Sequence, residues 1–470
     1  MSSIRSIDKN VLESPTSIPE FLLSDLSQDD LDIINDMVKL PRDQPLKKSG
    51  LVGDTPNEKG TQQPDDKKAK QDDEFPDGGL RAWLIVVGGA CITFSTSGYI
   101  ASWGIFQAYY QETLLKGVSP SSIAWIGSIQ YALVFLPGLI VGRLFDLGHF
   151  YLVFLPSSIA IVVATFLIGQ CTQYWHFLLC QGFATGLAVG GIFGCGNPVI
   201  SHWFKKKRAS ALGYMAVGSS LGGTVIPIII KNLLSRVGFP WTMRILGFIH
   251  LVMCGIANLT IKPRLPPMKV KGGLLNLAAF KDPPFTVYCI SSFITFLGIY
   301  TALIYVNVSA SQFGISPNLA FYFVSIANAS AAFGRGVTGI CADKFGPLNI
   351  LIPFTFFAGI LTYAWPFARS AGPLLVVIVL YGFSSGAFIS LLLTTIMNFG
   401  GEGDAGRRVG MFLTTSALGA LAGPPISGAI NATTGGFEAV GYFAGSAIIL
   451  GVLGLIIVRY LKLGRWIGKV

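Results

Sequence analysis

Beyond residue 81 the chain alternates between long apolar runs and short polar connections. Twelve runs are legible, at residues 82–110, 122–142, 150–170, 174–200, 208–234, 243–261, 285–311, 318–339, 349–367, 373–398, 409–431 and 437–460. A helix needs roughly 20 residues to cross the hydrocarbon core of a bilayer, and each run has about that length or more. The pattern predicts an all-α polytopic membrane protein with twelve transmembrane helices and the lipid bilayer as its surroundings.

The runs also repeat. Gly182, Phe183 and Gly186 recur 200 positions later as Gly382, Phe383 and Gly386, and Arg208 and Gly223 recur as Arg408 and Gly423. At an offset of 197, Ser128-Ile129 recurs as Ser325-Ile326, and Gly142-x-x-x-Asp146 as Gly339-x-x-x-Asp343. Two six-helix repeats follow, a first bundle at 77–262 and a second at 285–470, joined by a linker at 263–284. Gly182, Gly186, Gly190 and Gly194 put a small residue at every fourth position, which lets a neighbouring helix approach closely. Gly218/Gly222 and Gly419/Gly423 repeat the device.

Composition agrees with a membrane body: 51% of residues are hydrophobic, 12% are charged, and mean hydropathy is +0.60. The charges are divided unevenly. Residues 1–81 hold 17 of the 24 acids and 11 of the 34 Lys and Arg, which leaves 7 acids and 23 bases for the rest. The polar stretch 1–76 is expected to be a disordered tail, with residues 18–40 apolar enough for a short docking helix. It has no basic leader ahead of an apolar core, so the first span is expected to direct insertion.

The bases of the membrane body alternate by loop, which excludes a nucleic-acid surface. Seventeen fall on one side, including Arg143, Lys205 to Arg208, Arg407 and Arg408, against five on the other (Lys116, Lys231, Arg236, Arg244 and Arg369). The positive-inside rule then puts both termini in the cytoplasm. The seven cysteines include no CxxC pair, so neither a disulfide framework nor a metal site is indicated. No nucleotide motif or credible nucleophile appears, and an enzyme is not expected.

Asp77-Gly78-Gly79 followed by Ala82-Trp83 resembles the signature of the monocarboxylate porter family of the major facilitator superfamily. Trp203-Phe204-Lys205-Lys206-Lys207-Arg208-x-x-Ala211-x-Gly213-x-x-x-x-Gly218-Ser219 resembles that family's second signature. The resemblance covers about residues 77–465 and is nearest to the fungal branch. It implies the major facilitator fold, with the substrate held between parallel repeats near the midplane. It also implies carboxylate or vitamin transporters and efflux carriers as the functional class. Proton-coupled members carry a Lys in the first span and an Asp one turn before an Arg in the eighth. Here Arg335 fills the Arg position, but Ala331 stands one turn earlier and residues 82–115 contain no Lys.

Arg335 is the one charge well inside a span. An intramembrane Arg is costly unless it faces a cavity or a partner, and its guanidinium suits a carboxylate. It is the first candidate for substrate binding. Tyr99, Trp103, Gln130, Tyr305, Asn307, Asn328 and Asn398 are the polar and aromatic candidates to line the cavity with it. Asp146 with Arg143, and Asp343 with Lys344, occupy repeat-related loops that resemble the superfamily's gating motif. Each carboxylate there is suited to accept bonds from a neighbouring helix N-terminus. His250 reads as a packing histidine. The acids of the membrane body, Glu112, Asp146, Asp282, Asp343, Glu402, Asp404 and Glu438, all fall at span ends or in loops, so no midplane carboxylate carries a proton.

The expected function is alternating-access transport of a small organic acid or other partly anionic metabolite at the plasma membrane, with no cofactor. An efflux carrier for a secondary metabolite is the alternative within that class. A nontransporting nutrient receptor is the alternative from another class.

Overall fold

The computed structural model describes residues 75–265, 273, 277–399, 405–465, 468 and 469. The expected tail, apart from its last two residues, lies outside the described residues. So do the segment 18–40 and residues 266–272 and 274–276 of the expected linker.

Ten helical stretches among the described residues are long and apolar enough to cross a membrane. One of them, Arg208–Thr260, has 53 residues and is broken at Gly238, where φ is 74° and ψ is 173°. A Cβ disfavours that backbone conformation, so Gly238 can end one helix and let Pro240 open the next. Pro317–Phe345, with 29 residues, also reaches spanning length although it carries Arg335, Asp343 and Lys344.

Twelve spans result among the described residues. They are α1 (Gly79–Leu114), α2 (Ser122–Asp146), α3 (Phe150–Ile168), α4 (Tyr174–His202), α5 (208–237), α6 (239–260), α7 (Pro283–Gln312), α8 (Pro317–Phe345), α9 (Pro347–Phe367), α10 (Ala371–Met397), α11 (Gly406–Thr434) and α12 (Glu438–Leu463).

Several spans are broken. In α1, π-turns cover Phe94–Gly98 and Tyr110–Leu114, and the chain leaves helix at Ala101 and Ser102. At the matching place in α7 it leaves helix at Ile299 and Tyr300. The Ser102 hydroxyl donates to the Gly98 carbonyl at 3.3 Å, and the Tyr381 hydroxyl donates to the carbonyl of Ile299. These side chains satisfy backbone groups that lipid could not. In α2 the break falls at Leu136 and Pro137, where proline supplies no amide.

The glycine stripe of α4 lies against α2. A Cβ on Gly186 would sit 2.9 Å from the Leu133 Cβ, and one on Gly194 would sit 2.7 Å from Val141. The repeat holds in the second half, where Gly386 of α10 backs onto Ala331 of α8. These glycines are packing residues.

Candidate functional site

At the end of the molecule carrying Lys205 to Arg208, carboxylates reach across the two halves. Asp343, near the end of α8, accepts the backbone amides of Ala209 and Ser210 at 2.9 Å each, together with the Ser210 hydroxyl. Asp146, at the end of α2, accepts the amides of Gly406 at 3.0 Å and Arg407 at 2.8 Å. First-turn amides of a helix lack intrahelical partners and lie at the positive end of its dipole. The repeat therefore builds the same clasp twice, α8 to α5 and α2 to α11.

The other residues of this end complete the picture. Arg208 donates to the Asn398 Oδ1 at 3.3 Å and ties α5 to α10. Lys344 is exposed, and Arg143 lies half-buried one turn before Asp146. Lys469 donates to the backbone carbonyl of Asp343 at 2.6 Å.

Asp77 makes a third clasp that the sequence did not reveal. Its Oδ1 accepts the amides of Lys205, Lys206 and Lys207 at 2.8, 2.8 and 3.1 Å, and its own amide donates to the Trp203 carbonyl at 3.1 Å. Asp77 adopts φ 44°, a left-handed conformation in which Asp is among the better-tolerated residues. The two signature stretches thus form one physical unit. A carboxylate before Gly-Gly and a run of four bases were visible in sequence, but nothing in either said that they meet.

Near the middle of α8, Arg335 is 8% exposed. Its Nη1 donates across the seam to the Ala216 carbonyl at 2.7 Å and to the Ser219 hydroxyl, both on α5. Its Nε has no hydrogen-bond partner among the described residues. Tyr131 of α2 and Tyr300 of α7 lie within electrostatic reach of the guanidinium, with their rings edge-on at 5.7 Å. Phe135, 6.2 Å from Tyr131, and Phe296, 5.7 Å from Tyr300, extend the cluster in each half and meet each other at 6.4 Å.

The remaining candidates do not converge on Arg335 as one cluster. Tyr99 is buried inside the first half, edge-on to His250 at 5.1 Å, and the His250 Nδ1 lies 3.1 Å from the Thr165 hydroxyl. Trp103 packs on Gly127 and donates to Gln107 at 2.9 Å. Gln130 is buried against Gly186. In the second half, Tyr305 donates to the Pro424 carbonyl at 2.8 Å, while Asn307 is half-buried and its Oδ1 has no partner among the described residues. Asn328 donates to the Val324 carbonyl at 3.0 Å and across the seam to Gly223 at 3.4 Å. Asn398 is exposed at the clasped end rather than in the interior. A separate open cavity of about 520 Å³ is lined by Gln312, Phe313, Arg369 and Glu438, the last two forming an exposed ion pair at 2.5 Å.

The profile of the Major Facilitator Superfamily matches residues 84–422 and, in a second match, residues 289–465. The chain belongs to the Major Facilitator Superfamily. MFS-type transporter 1 of an Ophiocordyceps species is 39% identical over 394 residues, spanning 83% of this chain and 88% of that one. The aspyridones efflux protein apdF of Emericella nidulans is 36% identical over 386 residues, spanning 82% and 79%. The human organic anion transporter MFSD10 shares the fold, with a TM-score of 0.64 at 16% identity over 80% of this chain and 98% of that one. Superfamily membership makes the chain a multi-pass membrane transporter, with fungal relatives named as transporters and efflux proteins.

Proposed function

We propose that the protein is an efflux carrier that moves a partly anionic secondary metabolite out of the cell by alternating access. One observation carries the reading: a buried guanidinium on α8 bonds to the opposite half through Ala216 and Ser219 and keeps its Nε unbonded. An intramembrane charge placed on the seam between repeats is where a carrier meets its solute. A carboxylate or enolate of the solute would replace the Ala216 and Ser219 oxygens and take the bidentate face of the guanidinium. Efflux is favoured over uptake by the relative named for aspyridone efflux.

In this reading the bundles 77–262 and 285–470 rock about the seam, joined by the linker 263–284. Asp146 with Arg143, and Asp343 with Lys344, form the gate. The 17 to 5 asymmetry of bases supports a cytoplasmic placement for this gated end and for both termini, in a plasma membrane. Affiliation with the monocarboxylate porters is supported by the two signature stretches that Asp77 joins. No chemical conversion is required, so the protein is a carrier and not an enzyme.

The test is export. In cells of a producing fungus lacking the gene, at least one acidic metabolite should accumulate inside and fall in the medium. Wild-type protein should restore export, and Arg335→Ala should not. An unchanged secreted profile, with no solute uptake by everted vesicles, would favour the receptor reading instead.

A further inference from the structure

Six aromatic side chains form an unbroken series of ring contacts across the seam beside Arg335. Tyr131 and Phe135 come from α2, Phe193 from α4, Phe296 and Tyr300 from α7, and Phe388 from α10. Beyond the contacts already given, Phe193 lies 6.0 Å from Phe135 at an interplanar angle of 90°, and Phe388 lies 5.6 Å from Phe296 at 66°. The two inter-half contacts, Tyr131 to Tyr300 and Phe135 to Phe296, are also edge-on, at 79° and 63°.

We infer that this belt is the subsite for a planar conjugated ring, so that the transported solute is an aromatic or enolic acid rather than an aliphatic one. The inference rests on the anion-carrier reading and narrows it. Three features support it. Edge-on rings offer both faces and edges to a flat guest, the geometry that aromatic pairs prefer. Tyr131 and Tyr300 of the belt lie within electrostatic reach of the Arg335 guanidinium, whose Nε is unbonded among the described residues and is left as a donor for an acidic oxygen. Both inter-half contacts also lie beside helix breaks, Phe135 next to Leu136 and Pro137, and Tyr300 at the turn of α7. The rings are therefore mounted where the helices can bend apart to admit a guest between them.

A cluster within one half would keep its contacts as the halves rock, whereas this one straddles the seam and opens when they part. An aliphatic acid would satisfy Arg335 but leave the ring faces to one another.

Equilibrium binding to the full-length purified protein in nanodiscs tests this. The probes are 2-naphthoate and its saturated counterpart decahydro-2-naphthoate, with 2-naphthamide and decahydro-2-naphthamide as a charge-free pair. The flat acid should bind about tenfold more tightly than the saturated one, the size expected from two or three aromatic contacts. Phe135→Leu with Phe296→Leu should reduce that ratio to about twofold. Tyr300→Phe, which keeps the ring, should preserve the ratio while weakening both acids. The amides should show the same preference for the flat ring whether or not Arg335 is present.

Equal binding of flat and saturated probes, a preference that survives the double Leu variant, or no binding of either pair would overturn the inference. The two readings fail separately. Equal affinity for both acids that is lost in Arg335→Gln leaves the anion carrier standing and removes the belt. Acid affinities that are unchanged in Arg335→Gln, with the ring preference intact, do the reverse.

Discussion

Asp77 and Asp343 grip one segment of chain from two sides. Asp77, at the entrance to α1, holds the amides of Lys205 to Lys207, and Asp343, near the end of α8, holds those of Ala209 and Ser210. The first contact lies within one half and the second crosses to the other. The approach to α5 is thereby fixed to its own bundle while the first turn of α5 serves as the catch for the opposite one.

Breaking the catch should alter the balance of states rather than the binding site. Bonds to a charged acceptor contribute about 1.5–3 kcal/mol, enough for a tenfold or greater shift in an equilibrium. Asp343→Ala should lower the maximal transport rate about tenfold and leave the half-saturating concentration within about twofold. Concentration dependence of uptake into vesicles checks this, and a loss of affinity at unchanged maximal rate would refute the gate.

Asp77 should act on stability instead. Asp77→Ala removes an acceptor shared by three amides and places a Cβ residue without a side-chain acceptor at φ 44°, so a loss of about 1–2 kcal/mol is expected. Asp77→Asn keeps an acceptor and tolerates the same backbone, so it should recover most of that loss. Thermal melting of the detergent-purified variants distinguishes them, and equal melting of Ala and wild type would show that the clasp contributes nothing.

The twelve spans, the duplication and the role of the glycine stripe were legible because run length, motif offset and four-residue spacing are properties of the chain itself. The bonds of Asp146 and Asp343 to helix N-termini were foreseen because their repeated loops resemble the superfamily's gating motif. The helix breaks were harder to see. Apolar composition is the same on either side of a π-turn, and only Gly98 and Gly298, 200 positions apart, marked where α1 and α7 give way. Tyr131, Phe135, Phe296 and Phe388 were invisible as site candidates, because an aromatic residue in a span looks alike whether it faces lipid or the seam. Asn398 shows the converse error. Its polarity suggested a cavity, but it stands at the clasped end with Arg208.

Coupling follows from where the acids lie. Glu112 is exposed in the closing turn of α1, Asp146 and Asp343 are held by amides, and Glu438 pairs with Arg369 at 2.5 Å. Asp282 precedes α7, and Glu402 and Asp404 lie outside the described residues. An imposed pH gradient should therefore drive little uphill transport of a solute whose own protonation is constant over the range. Accumulation in proteoliposomes at matched and opposed pH should differ by less than about twofold. A strong gradient effect would point to His250 or Glu112 as the proton carrier.

Transport by three forms of the protein at equal membrane abundance tests whether Arg335 holds the acidic group of the solute at the seam. Arg335→Ala should abolish saturable uptake of an anionic substrate into everted vesicles. Arg335→Lys should recover only part of it, because an ammonium keeps the charge and loses the two-pronged geometry. Normal uptake of the anion by Arg335→Ala would show that the guanidinium does not hold it.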